Sequence, residues 1–227
     1  MQIGLLIERS RAYGRRLCEG IASVSSECPD MELDILNWED LLRLRKDNGF
    51  DAFVARIFDD EMARKFQMLG KPVVDVFYGK ERDGFAVADL DNPAIARMVA
   101  EHFKGRGFKN FAYCGYEDVK FSDDRRDAFV QALAGSGKCW LYRNPKGTMG
   151  NFADTVVKNE RYSLDARENR SLLRWIRALP KPVAVFCSHD LRAHQVLCLC
   201  KANGINVLGI GDCAGMFPID ANTKNAN

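Results

Sequence analysis

Short apolar runs alternate with longer amphipathic segments along almost the whole chain. The runs IGLLI (3–7), LDIL (33–36), AFVARI (52–57), PVVDV (72–76), FAVADL (85–90), NFAYCG (110–115), CWLYR (139–143), VAVFC (183–187) and VLGIG (207–211) read as strands. They show little polar alternation, as expected of parallel strands covered on both faces. Segments near 13–26, 59–69, 92–105, 123–135, 166–178 and 190–203 read as helices. In the last of these, Val196, Leu197 and Cys200 have helical spacing. Three helices stop at a Gly or Pro just before a strand, in LGKPVV, GRGFKNFAY and LPKPVAVF.

Strand–helix–strand order with short connections predicts an α/β, Rossmann-like fold with parallel sheets. A break near 91–107 divides it into an N-terminal lobe (1–104) and a C-terminal lobe (105–212), followed by a polar tail (213–227). Two such lobes would face each other across a cleft. In open α/β sheets, ligands bind beyond the carboxyl ends of the strands. The candidate segments are therefore those that follow strands: ERSRAYGRR, FDDE, DN, YEDVKFSDDRR and SHD.

Charge and composition narrow the function by exclusion. Thirty-three Lys and Arg against 31 Asp and Glu give a net charge of +2, too balanced for binding nucleic acid or membranes by bulk electrostatics. No window approaches the roughly 18 apolar residues of a membrane span. The first apolar run is short and leads into charges without a small-residue cleavage site, so it reads as a strand and not as a signal peptide. A cytoplasmic protein is expected. Its eight cysteines form no CxxC pair and are expected to be reduced and mostly buried, with no metal site. No GxGxxG follows a strand, and GKCWLYRNPKGT lacks P-loop spacing. No cofactor is expected.

The stretch CSHDLRAH (187–194) packs a thiol, a hydroxyl, an imidazole and a carboxylate together, which raises the possibility of a Cys187/His189 hydrolase. Neighbouring side chains at a strand end diverge, and nucleophilic triads are assembled from distant segments. The expected reading is not an enzyme: Cys187 in the core, Ser188 and His189 in a turn, and Asp190 capping the next helix. Tyr13 and Arg15 stand at the turn into the first helix. Phe121 and Arg125 or Arg126 stand near the start of another, with Ser122 as its expected N-cap and Asp123 and Asp124 in its first turn. Tyr, Phe, Arg, Asp and Asn without a strong nucleophile suit a polyhydroxylated neutral ligand.

Taken in order, ERSRAYGRRLCEGIA, GFDAFVARI, GKPVVDV, DLDNPAIARMVAEHF, RGFKNFAYCGY, FSDDRRDAFVQAL, LPKPVAVFCSHDLRAHQVLCLCKANGI and VLGIGD cover most of residues 3–212. Their sequence resembles the sugar-sensing domain of bacterial xylose-operon regulators, within the LacI/periplasmic-binding-protein-like superfamily. The resemblance implies a two-lobed fold closing on a sugar, D-xylose or a related pentose, in a homodimer. It also implies DNA binding through an AraC-type pair of helix-turn-helix motifs that this sequence lacks, and no membrane partner. Matching positions make Tyr13, Arg15, Arg56, Asp89, Asn92, Phe121, Arg125 and Asp190 the ligand residues. Three departures stand out: Phe121 where relatives often carry Trp, His189 where Asn is usual, and Gly211 in place of an expected Asp. After Asp212 the resemblance ends in CAGMFPIDANTKNAN, a tail expected to fray. The chain reads as a truncated or frame-shifted product, or a domain fragment. A transporter's sugar-binding protein is the alternative.

Overall fold

The computed structural model describes residues 1–9, 12–77, 80–145, 166–206 and 216–219. It divides into two compact units, Met1–Leu90 and Asp91–Asn227.

In the first unit, strands β1 (Gln2–Leu6), β2 (Glu32–Ile35), β3 (Ala52–Ala55), β4 (Val73–Asp75) and β5 (Ala86–Val87) form a sheet of order β2-β1-β3-β4-β5. Every pairing is parallel. Helices α1 (Ala12–Ser26), α2 (Trp38–Arg43) and α3 (Asp60–Leu69) make the connections. One face of the sheet presents Leu6, Phe53, Ala55 and Val73, which pack on Leu41 of α2 and on Met62, Phe66 and Leu69 of α3. These positions lie i, i+4 and i+7 along α3, so a single stripe of that helix meets the sheet.

Caps fix the ends of these helices. Asp59 accepts from the Met62 N–H at 2.8 Å, and Gly70 closes α3 in the left-handed region at φ 66°. The six-residue α2 has no helical periodicity to announce it. It is held by a reciprocal capping box between Asn37 and Asp40.

Gly14, in α1, lies against the carbonyl of Glu8, where a Cβ would sit 1.8 Å from the oxygen. Alanine is the better helix former by about 1 kcal/mol, but here it would push α1 off the sheet. Gly14→Ala is expected to destabilise the first unit by about 1–3 kcal/mol, read as a lower urea midpoint.

In the second unit, β6 (Asn110–Cys114), β7 (Lys138–Leu141), β8 (Val183–Cys187) and β9 (Met216–Ile219) form a sheet of order β7-β6-β8-β9. Helices α4 (Asn92–Gly105), α5 (Lys120–Ala132), α6 (Ala166–Ala178) and α7 (Asp190–Ala202) flank it. Alternation along β6 and β8 builds two cores. Phe111, Tyr113, Ala184 and Phe186 face Val99 and Phe103 of α4 and Phe129 of α5. Ala112, Cys114, Val185 and Cys187 face Leu172 and Ile176 of α6 and Val196 and Cys200 of α7. Burial on both faces explains the unbroken apolar runs.

Several expectations are corrected. Helix 92–105 was assigned to the N-terminal lobe, but its apolar stripe (Ala96, Val99, Ala100, Phe103) packs in the second unit. The tail was expected to fray. Instead its residues 216–219 pair with β8 in antiparallel register, Val183 opposite Ile219, so this sheet is not wholly parallel. Pro218, which has no N–H to donate, is tolerated there because β9 is an edge strand. Helix α5 starts at Lys120, with Val119 at its N-cap and no side-chain cap, so Ser122 is not the cap. The predicted strand 207–211, with Gly211, lies outside the described residues.

Candidate functional site

In the first unit, polar side chains gather where strands end. Arg56 follows β3 and is buried. Its Nη1 lies 3.7 Å from the Glu8 carboxylate, just after β1. Its guanidinium carbon lies 5.1 to 5.2 Å from the ring centroids of Tyr13, Phe58 and Phe77. An arginine in such an aromatic box keeps its charge while its faces are desolvated. The Tyr13 hydroxyl donates to the Val76 carbonyl at 3.3 Å. Burial raises the Tyr13 pKa, against the opposing pull of Arg56, and nearby Asp89 raises it further.

Asp75, buried at the end of β4, accepts from the backbone N–H groups of Ile57 (3.2 Å) and Phe77 (2.9 Å). It thereby pins the two segments that carry Arg56 and Phe77. Tyr13, Arg56 and Asp89 are thus close together. Arg15 is exposed and donates to the Arg9 carbonyl at 3.1 Å. Two residues along a helix point in different directions, which separates Arg15 from Tyr13.

In the second unit, Asn92, Phe121 and Arg125 come together. Asn92 is buried in the first turn of α4, whose cap is the neighbouring Asp91, accepting from the Ala94 N–H at 2.8 Å. The Asn92 Oδ1 accepts from Arg125 Nε at 3.1 Å and from Nη2 at 2.6 Å. Arg125 Nη1 donates to the carbonyl of Ser188, immediately after β8. Phe121 lies one turn back on α5, its centroid 5.7 Å from the Arg125 guanidinium. Arg126 instead pairs with Asp123 and Asp127 on the outer side of the helix.

Asp190 is exposed, opens α7, and makes no hydrogen bond or ion pair among the described residues. The cap it was expected to provide comes from His189, whose Nδ1 accepts from the Arg192 N–H at 3.3 Å. Ser122 works nearby rather than as a cap. Its Oγ accepts from the Tyr116 N–H at 2.9 Å, and Gly115 leaves room for it, since a Cβ there would lie 2.4 Å from that oxygen.

Cys187 is 1% exposed and sits in the core. Burial pushes its thiol well above the ordinary range, and contact with Cys114, its register partner on β6, adds to the effect. A thiol held protonated in this way is a poor nucleophile.

The sequence reading missed a buried ion pair. Arg192 is fully buried; its Nη1 donates to Glu168 and to Gln195, both at 2.6 Å. Glu168 also accepts from Asn144 at 2.9 Å. The Arg192 guanidinium lies 4.1 Å from the Tyr116 centroid and 5.7 Å from that of Tyr142. A signal existed: Glu168, Leu172 and Ile176 on α6, and Arg192, Val196 and Cys200 on α7, share i, i+4, i+8 spacing. Opposite charges on two inward stripes predict a pair.

Two α/β units with charged and aromatic clusters at the carboxyl ends of their strands define a periplasmic-binding-protein-like fold. Residues 100–207 match the periplasmic binding protein-like domain. Over 219 residues the chain is 24% identical to the xylose operon regulatory protein of Haemophilus influenzae, covering 91% of this chain and 52% of that protein. The structure of the xylose-binding transcription activator xylR superposes with a TM-score of 0.67 at 19% identity, over 88% of this chain and 50% of that one. A periplasmic binding protein/LacI transcriptional regulator from Alkaliphilus metalliredigens, complexed with D-xylulofuranose, gives a TM-score of 0.59 at 17% identity. That match covers 91% of this chain and 74% of that one. The chain spans about half the length of the xylose regulators it matches. Among the described residues, no helix is long and apolar enough to cross a membrane, and no cluster of three or more His, Cys, Asp or Glu could hold a metal.

Proposed function

We propose that this chain is the ligand-sensing domain of a sugar-responsive transcriptional regulator, with D-xylose or a related pentose as its ligand. The observation that carries the reading is Arg125. It is a buried guanidinium beyond the carboxyl ends of β6 and β8, oriented by Asn92 and the Ser188 carbonyl and flanked by the Phe121 ring. An oriented guanidinium donates to hydroxyl oxygens, and an aromatic face packs on the C–H face of a sugar ring. Arg56 with Tyr13 and Asp89, and Asp190 at the head of α7, serve the same ligand chemistry. Arg15 is the least supported member, because its bond runs to its own backbone segment. The similarity to xylose-operon regulators supports the regulatory role. In that role the protein works in the cytoplasm as a homodimer, and a module outside this sequence contacts DNA.

A thermal-shift titration against pentoses and hexoses tests the proposal. At a hundredfold excess of ligand over Kd, binding adds about 2.7 kcal/mol to stability, so the melting temperature should rise with D-xylose or a close epimer. No shift with any sugar would refute it.

A further inference from the structure

Five planar groups of the second unit stand in a row. The guanidinium of Arg192 lies 4.1 Å from the Tyr116 centroid. The Tyr116 ring lies 5.1 Å from that of His189, with 34° between their planes. His189 lies 6.3 Å from Phe121 at 32°, and Phe121 lies 5.7 Å from the guanidinium of Arg125. The row runs from the buried Arg192–Glu168 pair to Arg125, the residue on which the sugar-sensing reading rests.

Arg192 grips this row by two separate handles. Its backbone N–H is accepted by His189 Nδ1, which fixes the imidazole at the head of α7. Its side chain is held edge-on, Nη1 donating to Glu168 and Gln195, and this leaves a guanidinium face against Tyr116. Tyr116 is tethered independently through its own N–H to Ser122. The Arg192 Nε and Nη2 make no hydrogen bond among the described residues, although both are buried. A lysine could keep the charge facing Glu168 but has no planar face to offer a ring.

We infer that Arg192 is a positioning residue for sugar selectivity. It holds Tyr116 against His189, and through this row it sets the position of Phe121 and of the donors of Arg125 that the sugar-sensing reading assigns to the monosaccharide. The inference rests on the sugar-sensing reading for its ligand, but not for the ring stack itself.

The test compares the wild-type chain with Arg192→Lys and Tyr116→Leu. His189 ring resonances are read by NMR without ligand, and affinities are measured for D-xylose, D-ribose, L-arabinose and D-glucose. Both variants should move the His189 signals as the Tyr116 ring current is displaced or lost. D-xylose affinity should fall, and discrimination among the sugars should narrow. A merely structural role would weaken all sugars alike and leave their ranking unchanged, which would overturn the inference. So would unchanged His189 signals in Arg192→Lys. If Arg192→Lys does not fold, Glu168→Leu/Arg192→Met, which removes the guanidinium together with its counter-charge, takes its place in both measurements. If the wild-type chain binds no sugar, the sugar-sensing reading fails, and the His189 spectra still judge the ring stack.

Discussion

Arg125→Ala is expected to lower sugar affinity by about 100-fold, a loss of roughly 2.7 kcal/mol, and to destabilise the second unit by about 2–3 kcal/mol. Both effects follow from what the guanidinium holds. Its Nε and Nη2 satisfy Asn92, and its Nη1 satisfies the Ser188 carbonyl. Truncation strips those buried acceptors of three donors. It also removes the cation beside Phe121, so any sugar packed there loses both its donor and an ordered ring. Arg125→Lys is the informative intermediate. It keeps the charge but cannot reach both Asn92 and Ser188 with one planar fork, so it should recover part of the stability and little of the affinity. Isothermal titration beside urea unfolding measures both. Wild-type affinity in Arg125→Ala would take Arg125 out of the site.

The parts of this molecule that were legible in its sequence are those where a single period dominates. Strands β6 and β8 are covered on both faces, so their apolar runs are unbroken and their positions were readable. The four-turn stripe of α4 was equally plain, but a stripe says that a helix packs, not on which unit, and α4 packs opposite to expectation. Local polar chemistry was harder to assign. Ser122 and Asp190 have cap-forming side chains, but Ser122 stands three residues past the N-cap Val119 and Asp190 one residue past His189. Ser122 is instead consumed by the Tyr116 N–H, and the neighbouring His189 takes the cap of α7. Hydrogen-bond partners of this kind depend on where the loop after β6 comes to rest, which no window of sequence encodes. Strand β9 is the apolar run MFPI, but it is only four residues long, contains a proline and stands in an otherwise polar tail, so its pairing to β8 was hidden by its surroundings. The helix start left Arg125 and Arg126 as alternatives, and only the resemblance chose Arg125 and added Asn92, the residue 33 positions away to which Arg125 donates. The Glu168–Arg192 pair was missed although two inward stripes of opposite charge were readable.

That pair supports the second large prediction. Glu168→Leu alone is expected to cost about 3–5 kcal/mol, because it leaves the guanidinium of Arg192 buried without its counter-charge. The side chains of Arg192 and Glu168 are 0% and 4% exposed, so water cannot take the place of the lost partner. Removing the charge as well should relieve most of the penalty. Glu168→Leu/Arg192→Met is expected to recover at least about 2 kcal/mol of the loss, since a buried ion pair gains little over apolar side chains of similar size. The remaining deficit belongs to Gln195 and Asn144, each losing a hydrogen-bond partner at about 1 kcal/mol apiece. Urea unfolding of the two single variants and the double variant closes the cycle; a double variant as unstable as Glu168→Leu would contradict it. The same double variant separates what the pair does for stability from what it does for recognition. Methionine fills the volume of Arg192 but offers Tyr116 no guanidinium face. A chain that regains stability while its sugar affinities converge would show that this buried charge is kept for the orientation of the rings rather than for the fold.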